Sequence, residues 1–571
     1  MIQSQIKYNS SPIFIFIFWG KMDLEAHFQN LASLNINPDE IENEQHAKAF
    51  NSLFAIVEIL SKENIAQKEQ IQMLRDEINL LKGEQTKPNI RGSKKKDDIS
   101  SEQERNQRKP HKNRESNSRI DKIEIHQTET CKVDRSTLPE DAAFKGYSPV
   151  VIRDIIMKPW NTKYLIEHFY SPSEGKTYRG KLPDSVKGEF GARLITFILT
   201  LYHVANTSEP KVHECLESIG ILISKSTISR IITENNDLFH EEKAEIFQAG
   251  LNSTAYQQID DTSARVNGSN CYTQIICNQY YAAYFTVLNK NRETILDILL
   301  CRNEKIYFFN EEAFELMETF NVSKIWIERL SSLKGKIYNK EEMNRKMDYF
   351  FPPDRYKTIR MRVLEACSIA SYHRMTNIPV VNILLSDDAP QFRKLTYQHA
   401  YCWIHDGRNY KKLRPVVPYY QEKLKAFLDK YWDYYGKLCE FKIKPDSEVA
   451  EQLDAEFDQL FSTKTGYDQL DERISKTKKK KKSLLMVLTV PEIPLHNNAA
   501  ELAARAKVRK RDVSLQTVTE KGTKANDTFM TIVQTAKKLS VSACAYIYDR
   551  VSNKFEMTSL AQLIREKSTL N

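Results

Sequence analysis

The stretch AYQQIDDTSARV, from Ala255 to Val266, decides the predicted fold because it marks the change from helical to strand periodicity. Two more β-rich runs follow after short turns, CYTQIICN at Cys271–Asn278 and YYAAYFTVL at Tyr280–Leu288. All three are rich in β-branched and aromatic residues, which favour strands. We therefore predict three consecutive strands, the first of which carries Asp260 and Asp261.

A helical pattern and another buried strand complete this arrangement. The helical stretch covers Asn291–Leu300, and the apolar strand IPVVNILLSDDAPQF at Ile378–Phe392 follows a long insertion. The run YCWIH at Tyr401–His405 is a further short strand candidate that leads into helices. Three antiparallel strands, a helix and a fourth strand make the β-β-β-α-β core of a ribonuclease-H-like fold, in which the first and fourth strands are neighbours.

Two acid doublets should therefore meet at one edge of the sheet, Asp260 or Asp261 from the first strand and Asp387 or Asp388 from the fourth. Neighbouring strand residues point to opposite faces, so we expect one acid of each doublet, Asp260 and Asp387, to face a common site. Close carboxylates repel each other unless a divalent cation screens them, and a third, Glu501, would complete an oxygen-rich site for Mg²⁺ or Mn²⁺. Two such ions can support phosphodiester chemistry.

Each acid also has an ordinary structural interpretation. Aspartate at the end of a strand is a common turn residue. Asn498 and Glu501 have the spacing of a helix capping box. The catalytic hypothesis depends on their joint placement at two strand ends and on one helix.

A heptad pattern runs from Phe50 to Leu81 and predicts a coiled coil. Its a positions are Phe50, Val57, Asn64, Ile71 and Ile78, and its d positions are Leu53, Leu60, Gln67, Leu74 and Leu81. Branched residues at a with leucine at d favour a parallel dimer, and one asparagine at a fixes its register. The alternative is a single amphipathic helix packed on its own protein.

The segment KVHECLESIGILISKSTISRIITENND, beginning at Lys211, has helix-turn-helix spacing. A turn at Gly220 separates two helices, and the second helix carries polar residues on its outer face that could contact a DNA groove or phosphates. These residues are Lys225, Thr227, Ser229 and Arg230. A generic helical hairpin would have the same pattern.

Four motifs together resemble the DDE transposases of the insertion sequence 66 family. Asp260-Asp261-Thr262 resembles the first-aspartate motif, and Asp387–Phe392 resembles the second, with the aromatic residue five positions on favouring Asp387. Cys402–Arg408 is similar to the family's C-W-x-H-x-x-R, and Asn497–Arg505 to its N-N-x-A-E-x-x-x-R. The resemblance covers about 211–551 and includes a helical tail, while the coiled coil matches the family's zipper.

The resemblance implies a homodimeric DNA transposase that binds terminal inverted repeats, cleaves a strand and joins the 3′-hydroxyl to target DNA. It implies that Asp260, Asp387 and Glu501 are catalytic and hold two Mg²⁺ or Mn²⁺ ions. On the helix that carries Glu501, Asn497 or Asn498 would cap the N-terminus. The residues expected to contact DNA phosphates on this helix are Arg505, Lys507, Arg509, Lys510 and Arg511.

Family members commonly carry a cysteine-rich zinc segment after the zipper, but here only Cys131 remains, so we expect no structural zinc. We expect a bacterial cytoplasmic, nucleoid-associated protein with no membrane partner, and small accessory transposition proteins are possible partners. The alternative functions are a noncatalytic DNA-binding repressor or decayed transposase, and a nuclease of the same fold that cuts without joining.

Composition agrees with a multidomain α+β protein, since 571 residues exceed the usual domain size of about 100 to 200. The net charge of +9 suggests a polyanionic partner. Nine scattered cysteines without a C-x-x-C pair indicate a reducing compartment. The apolar run PIFIFIFWG at Pro12–Gly20 is too short to span a membrane, and we expect translation to start at Met22.

These patterns divide the chain into successive predicted regions. The regions are an N-terminal segment at 1–45, of which 1–21 is untranslated or disordered, a coiled-coil helix at 46–82, a basic disordered linker at 83–125, a helical DNA-binding region at 126–250 with the helix-turn-helix near 211–235, a ribonuclease-H-like catalytic domain with helical insertions at 251–520, and a helical tail at 521–571. Within the catalytic domain, KTKKKKK at Lys476–Lys482 is interpreted as an exposed loop on the DNA path or as a merely solvated loop.

Overall fold

A computed structural model describes residues 36–81, 124–134, 139, 142–148, 150–183, 188–352 and 355–570. The predicted segment 1–21 and nearly all of the predicted linker 83–125 lie outside the described residues. The chain forms two compact units. The first contains 36–81 and Trp403–Leu495, and the second contains the described residues of 98–402 and His496–Leu570.

The described strands form one central sheet and two small two-stranded sheets. They are β1 (His168–Ser171), β2 (Lys176–Arg179), β3 (Tyr256–Val266), β4 (Ser269–Cys277), β5 (Ala282–Val287), β6 (Tyr307–Phe308), β7 (Ile337–Tyr338), β8 (Ile383–Ser386) and β9 (Gln398–Tyr401). The central sheet has the order β5-β4-β3-β8-β9, while β1 pairs with β2 and β6 with β7.

Helices make up most of the remaining described structure. They are α1 (Glu44–Leu81), α2 (Ala192–Leu199), α3 (Glu209–Ser218), α4 (Lys225–Thr233), α5 (Asp237–Leu251), α6 (Arg292–Leu299), α7 (Glu311–Thr319), α8 (Lys324–Leu330), α9 (Lys340–Phe350), α10 (Lys357–Tyr372), α11 (Trp403–Lys411), α12 (Pro418–Ile443), α13 (Ser447–Leu460), α14 (Asp468–Lys478), α15 (Lys481–Leu484), α16 (Met486–Thr489), α17 (Asn498–Ser514), α18 (Glu520–Lys538), α19 (Ala543–Val551) and α20 (Leu560–Thr569). No helix in the described ranges is long and apolar enough to cross a membrane.

The central sheet confirms the predicted neighbourhood of the first and fourth core strands. β3, β4 and β5 are antiparallel and consecutive, and β3 also pairs with β8 in parallel. β9 then pairs with β8 in parallel. The two acid doublets therefore lie on adjacent strands, as the sequence pattern predicts.

The two faces of the sheet have different coverings. On one face Ile259, Ile276 and Ala283 pack into the main hydrophobic core with residues of α5, α6, α10 and α18. On the other face, Ile275 and Tyr284 contact a run of small residues on α17, Ala500, Ala503 and Ala504. Alanine has a short side chain, so the α17 backbone approaches the sheet closely, and the Tyr284 hydroxyl donates a 3.0 Å hydrogen bond to the Ala503 carbonyl.

The predicted coiled-coil helix is present as α1, and it packs on its own unit through a side other than the heptad seam. Phe54 contacts the rings of Tyr419 and Tyr420 at centroid distances of 6.1 Å. Buried Glu58 accepts a hydrogen bond from the Val417 amide at 2.8 Å. The apolar seam residues Leu53, Leu60, Ile71, Leu74, Ile78 and Leu81 are all exposed in the single chain.

The helices of the predicted helix-turn-helix are α3 and α4. Gly220 joins them with φ of +81°, a conformation that favours glycine. Ser224 caps α4, since its hydroxyl accepts a hydrogen bond from the Thr227 amide. Six buried residues form the small core of this region, namely Ile198, Val212, Leu216, Ile223, Ile228 and Ile232.

Two expectations about local structure were wrong. The predicted helical region 126–250 is not helical throughout, because the described residues 150–183 form irregular backbone and the β1–β2 hairpin, and the first helix among its described residues begins at Ala192. The basic run Lys476–Lys482 is not a loop, because it belongs to the end of α14 and the start of α15. Lys481 forms ion pairs with acids on α13, which is possible because the insertion folds into packed helices.

Candidate active site

The register of the sheet separates the two acids of the first doublet. Asp260 lies opposite Ile275 on β4, and Ile275 is on the sheet face covered by α17. Ile259, one residue earlier, lies on the main-core face. By strand alternation Asp260 therefore faces α17, and Asp261 faces the other way.

Asp261 is occupied by contacts on its own side. One of its carboxylate oxygens lies 3.3 Å from the Lys290 ammonium, and the other accepts a 3.2 Å hydrogen bond from the Gln391 side-chain amide. These contacts hold Asp261 beside a cation and an amide, whereas the Asp260 carboxylate accepts a 2.8 Å hydrogen bond from the Asp261 backbone amide.

The second doublet separates in the same way. Leu384 packs into the main core, so by alternation Asp387, just past the end of β8, belongs to the α17 face. The Asp387 carboxylate accepts a 3.1 Å hydrogen bond from the Ala389 amide. The Asp388 carboxylate instead accepts two hydrogen bonds from the Arg393 guanidinium, at 2.6 and 3.0 Å.

Helix α17 brings Glu501 to the same face. Asn497, which precedes the helix, makes no side-chain capping bond and is buried. Its amide instead donates a 2.8 Å hydrogen bond to the carbonyl of Ile259 on β3. The side-chain cap expected from Asn497 or Asn498 is therefore not formed, and the Asn497 hydrogen bond instead connects the start of α17 to the residue before Asp260. Glu501 is half-buried and lies one turn further along α17.

The electrostatics of Asp260 show that neighbouring carboxylates act on it. Burial, together with the negative charges of Asp387, Asp261 and Glu501, raises the pKa of Asp260 to about 7 against the opposing hydrogen bond from the Asp261 amide. A carboxyl group with such a pKa is a feature of functional sites. Burial and like charges destabilise its ionised form, and a nearby cation would relieve both effects.

The oxygen-only donor set of Asp260, Asp387 and Glu501 suits a hard divalent cation such as Mg²⁺. In the part of the chain that the structure describes, however, no three or more His, Cys, Asp and Glu side chains are grouped to hold a metal ion. The acids share one sheet face and interact electrostatically, and the chemistry of their side chains fits the cation without a preformed ligand cage.

The basic residues of α17 divide into exposed and buried sets. Arg505 and Arg509 are exposed, and the Arg505 guanidinium lies 4.0 Å from the Glu501 carboxylate. Lys507 is buried and forms a 3.0 Å ion pair with Asp527, while Lys510 is buried and donates to the Tyr202 carbonyl. The structure thus shows that Lys507 and Lys510 are not exposed cations, because their side chains turn inward to partners on other segments, and their predicted contact with DNA phosphates stays a prediction.

Arg511, the last predicted phosphate contact of α17, is half-buried and donates a 2.7 Å hydrogen bond to the Ser263 hydroxyl on β3. In the helix-turn-helix region, Lys225 and Arg230 are exposed, while Thr227 and Ser229 are half-buried. The Thr227 hydroxyl is hydrogen-bonded to Ser224 at 2.9 Å.

Two site-supporting residues were missed by the sequence interpretation. The Ser386 hydroxyl donates to the Asp387 carbonyl at 2.5 Å and lies 2.7 Å from the ring nitrogen Nε2 of His399 on β9. This pair fixes the end of β8 where Asp387 emerges. His399 lies outside the recognised motifs, and only its place on the neighbouring strand reveals its contact with Ser386.

Comparisons with known proteins match the part of the chain that carries two of these acids. The model of the transposase IS66 family matches residues 339–525, which include Asp387, Glu501 and all of α17. The uncharacterized protein y4jO of Sinorhizobium fredii (strain NBRC 101917 / NGR234) is 30% identical over 326 residues, which is 57% of this chain and 100% of that protein.

Proposed function

This chain belongs to the transposase IS66 family, and we propose that it is a DDE transposase that cleaves DNA at the ends of an insertion sequence and joins those ends to target DNA. The single observation that carries the proposal is the placement of Asp260 and Asp387 at adjacent strands on one face of the sheet, with Glu501 on the helix that covers this face. Ordinary turn or capping roles would not require these three positions to share one face.

The topology supports assignment of the core to the ribonuclease-H-like class. Three antiparallel strands are followed, after helices, by a strand parallel to the first, which gives the order β5-β4-β3-β8-β9. In this arrangement the acids of β3 and β8 share one edge, and α17 crosses the same face. We therefore assign 256–401 and 498–514 to the catalytic core, with intervening helical insertions.

Asp260, Asp387 and Glu501 would hold the divalent ions, for which we propose two Mg²⁺ or Mn²⁺. Bound there, such ions activate an attacking hydroxyl and stabilise the leaving oxygen of a phosphodiester. The protein holds these carboxylates in position. Asn497 and the alanine face of α17 fix Glu501 against β3, and the Ala389 amide orients Asp387. Lys290 and Arg393 keep Asp261 and Asp388 in separate ion pairs.

Exposed cations support DNA as the partner. Arg505 and Arg509 lie on the same helix as Glu501, and Lys225 and Arg230 are exposed on the second helix of the predicted helix-turn-helix. Contacts of this kind neutralise phosphates and give salt-dependent binding. We propose that α4 contacts the terminal inverted repeats and that Arg505 and Arg509 contact the strand being cut.

The exposed heptad seam of α1 supports a homodimer. Within the described residues, the seam residues Leu53, Leu60, Ile71, Leu74, Ile78 and Leu81 are exposed and Phe50 and Val57 are half-buried, since α1 uses the side of Phe54 and Glu58 for intramolecular contacts. A second copy would cover the seam as a parallel coiled coil.

Strand-transfer assays on three variants test the catalytic proposal. Asp260→Asn, Asp387→Asn and Glu501→Gln each remove one charge without changing side-chain size. Because these groups would hold the ions directly, each should reduce strand transfer more than about a hundredfold. Binding to the element's ends, measured by fluorescence anisotropy, should persist.

The doublets provide matched controls, Asp261→Asn and Asp388→Asn, which should retain most activity. If all three proposed catalytic variants cleave and join DNA like the wild type, the assignment is wrong. A wild-type protein that binds ends but neither cuts nor joins would instead support a noncatalytic DNA-binding repressor or a decayed transposase. Cleavage without joined products would indicate a nuclease.

A further inference from the structure

We propose that a basic pocket beside β3 binds a backbone phosphate of the DNA strand, an inference that rests on the proposed function and extends it to substrate positioning. The pocket lies between the second half of β3 and the end of α17. It is lined by Ser263, Ala264, Arg265, Thr286, Lys507, Lys510, Arg511, Ser514, Leu515, Gln516, Thr517 and Asn526. We call this set the basic pocket.

The size and charge of the basic pocket fit a small anion. Its volume is about 30 Å³, space for about two water molecules, so it can receive the oxygens of a phosphate group. Four of its lining residues carry positive charge, and none is an aspartate or glutamate. Several hydroxyl and amide groups in the lining can donate further hydrogen bonds.

Lys510 is the strongest reason to expect a ligand. Its side chain is only 1% exposed, donates to the Tyr202 carbonyl and lies 3.4 Å from the centre of the Tyr202 ring. Among the described residues it forms no ion pair with a carboxylate, and burial together with the neighbouring Lys507 charge lowers its pKa to about 7. A buried ammonium without a counter-charge is unfavourable, and a bound anion would supply that charge.

The remaining cations are held in place around the basic pocket. Lys507 is already paired with Asp527, which balances most of its positive charge. It therefore contributes to the basic pocket mainly as a hydrogen-bond donor in a fixed position. The Arg511 guanidinium is oriented by the Ser263 hydroxyl at 2.7 Å, and the Arg265 side chain is exposed at the rim. The described partners of Arg511 are thus uncharged, which leaves its positive charge available to a phosphate.

The basic pocket is close to the proposed catalytic acids along the same strand. Ser263 follows Asp260 by three residues on β3, a separation of about 10 Å along an extended strand. A phosphate bound here would therefore belong to a nucleotide near the one being cleaved. Such a contact would hold the DNA strand in register with the carboxylates.

Salt-dependent DNA binding by the full-length protein tests this proposal. The probe is a fluorescently labelled DNA duplex, titrated at several salt concentrations against the wild type, Arg511→Gln and Arg265→Gln. Removing one phosphate contact should reduce the slope of log K against log salt by about 0.9. The control Lys524→Gln removes an exposed lysine of α18 that does not line the basic pocket, and it should leave the slope near that of the wild type.

Lys510→Met provides a further variant, and because Lys510 is buried, its folding is checked by thermal unfolding. Arg265 is exposed, so its substitution should not disturb the fold. Inorganic phosphate serves as the second probe, and it should compete weakly with DNA on the wild type and less on Lys510→Met. Unchanged slopes for both arginine variants would overturn the proposal. Tight binding of inorganic phosphate without any effect of these variants on DNA would also overturn it, since the pocket would then bind free phosphate. Neither result requires catalytic activity, so failure of the pocket and failure of the transposase assignment are distinguishable.

Discussion

The Asn497 side-chain amide donates a 2.8 Å hydrogen bond to the Ile259 carbonyl, which ties the start of α17 to the strand position immediately before Asp260. This bond links the helix that carries Glu501 to the strand that carries Asp260, the first of the proposed catalytic acids. The Ala503 carbonyl, bonded to the Tyr284 hydroxyl, provides a second tie further along the helix. The relative position of Glu501 and Asp260 is therefore built into the core of the domain.

Asn497→Ala should remove the hydrogen bond between α17 and the Ile259 carbonyl while leaving Asp260 and Glu501 in place. We expect strand transfer to fall about 10- to 100-fold, as for groups that orient metal ligands without touching the metal. The measurement is the single-turnover joining rate at saturating Mg²⁺ with a circular dichroism check of the fold. Asn498→Ala, at the adjacent and less buried position, is the control and should have a smaller effect. Equal rates for the wild type and Asn497→Ala would contradict a positioning role.

The pKa of Asp260 predicts an unusual pH dependence of stability. A carboxyl group whose pKa rises from 3.8 to about 7 on folding favours the folded state when it is protonated. This contribution is fully present below about pH 4 and is lost as the pH rises through 7. Asp260→Asn should therefore be more stable than the wild type at pH 8 in the presence of a chelator, by about 1 to 3 kcal/mol.

Urea unfolding at several pH values measures this difference. The advantage of Asp260→Asn should shrink when Mg²⁺ is added at pH 8, because a cation that binds only the folded wild type stabilises it. A stability difference that is independent of both pH and Mg²⁺ would show that Asp260 does not titrate as described.

Because the Lys507 side chain is buried, replacing it should lower the stability of the protein. Replacing an exposed cation of the same helix should not. Burial acts to raise the pKa of Asp527, but the charges of Lys507 and Lys243 and hydrogen bonds from Lys507 and Thr286 hold it below its usual value. Lys507→Met would leave Asp527 buried without its closest counter-charge and should lower the free energy of unfolding by about 3 to 5 kcal/mol.

Arg509→Met is the matched control for this substitution, since Arg509 is exposed on the same helix. Its effect should stay within about 0.5 kcal/mol. The denaturant concentrations at the unfolding midpoints of the two variants show whether Lys507 stabilises the fold more than an exposed cation does. Similar midpoints would mean that Lys507 contributes no more to stability than an exposed cation and would contradict its buried ion pair with Asp527.

The exposed seam of α1 predicts a dimer that specific charges disrupt. Replacing both Ile71 and Leu74 by lysine places like charges in the seam and should convert the protein to a monomer. Met73 and Ile65 are similarly exposed but lie outside the a and d positions, so the double lysine substitution there should leave a dimer. Sedimentation equilibrium measures the mass. Identical masses for both double variants would remove the seam as the interface.

Strand alternation and motif order were sufficient to predict that β3 and β8 are neighbours, which the sheet confirms, while the choice of one acid from each doublet stays a prediction. These features depend on local periodicity, which a single sequence displays. Lys507 and Lys510 could not be placed in this way, because the partners that draw them inward, Asp527 and Tyr202, lie on distant segments.

Long-range packing also explains the other differences. The segment Trp403–Leu495 joins α1 in the first unit, although sequence order suggested a simple insertion into the catalytic domain. The described residues of the predicted separate tail, 521–570, lie within the second unit, where the Thr531 and Thr535 hydroxyls of α18 accept hydrogen bonds from the Tyr284 and Ala282 backbone amides of β5. Such associations depend on complementary surfaces and not on any local pattern.

Anomalous X-ray scattering from crystals of the wild-type protein grown with Mn²⁺ is the most direct test of the central claim that Asp260, Asp387 and Glu501 hold divalent ions. We predict manganese peaks bounded by these three carboxylates, and their loss in crystals of Asp260→Asn grown under the same conditions. Manganese bound only elsewhere, or peaks at this face that persist in Asp260→Asn, would contradict the account.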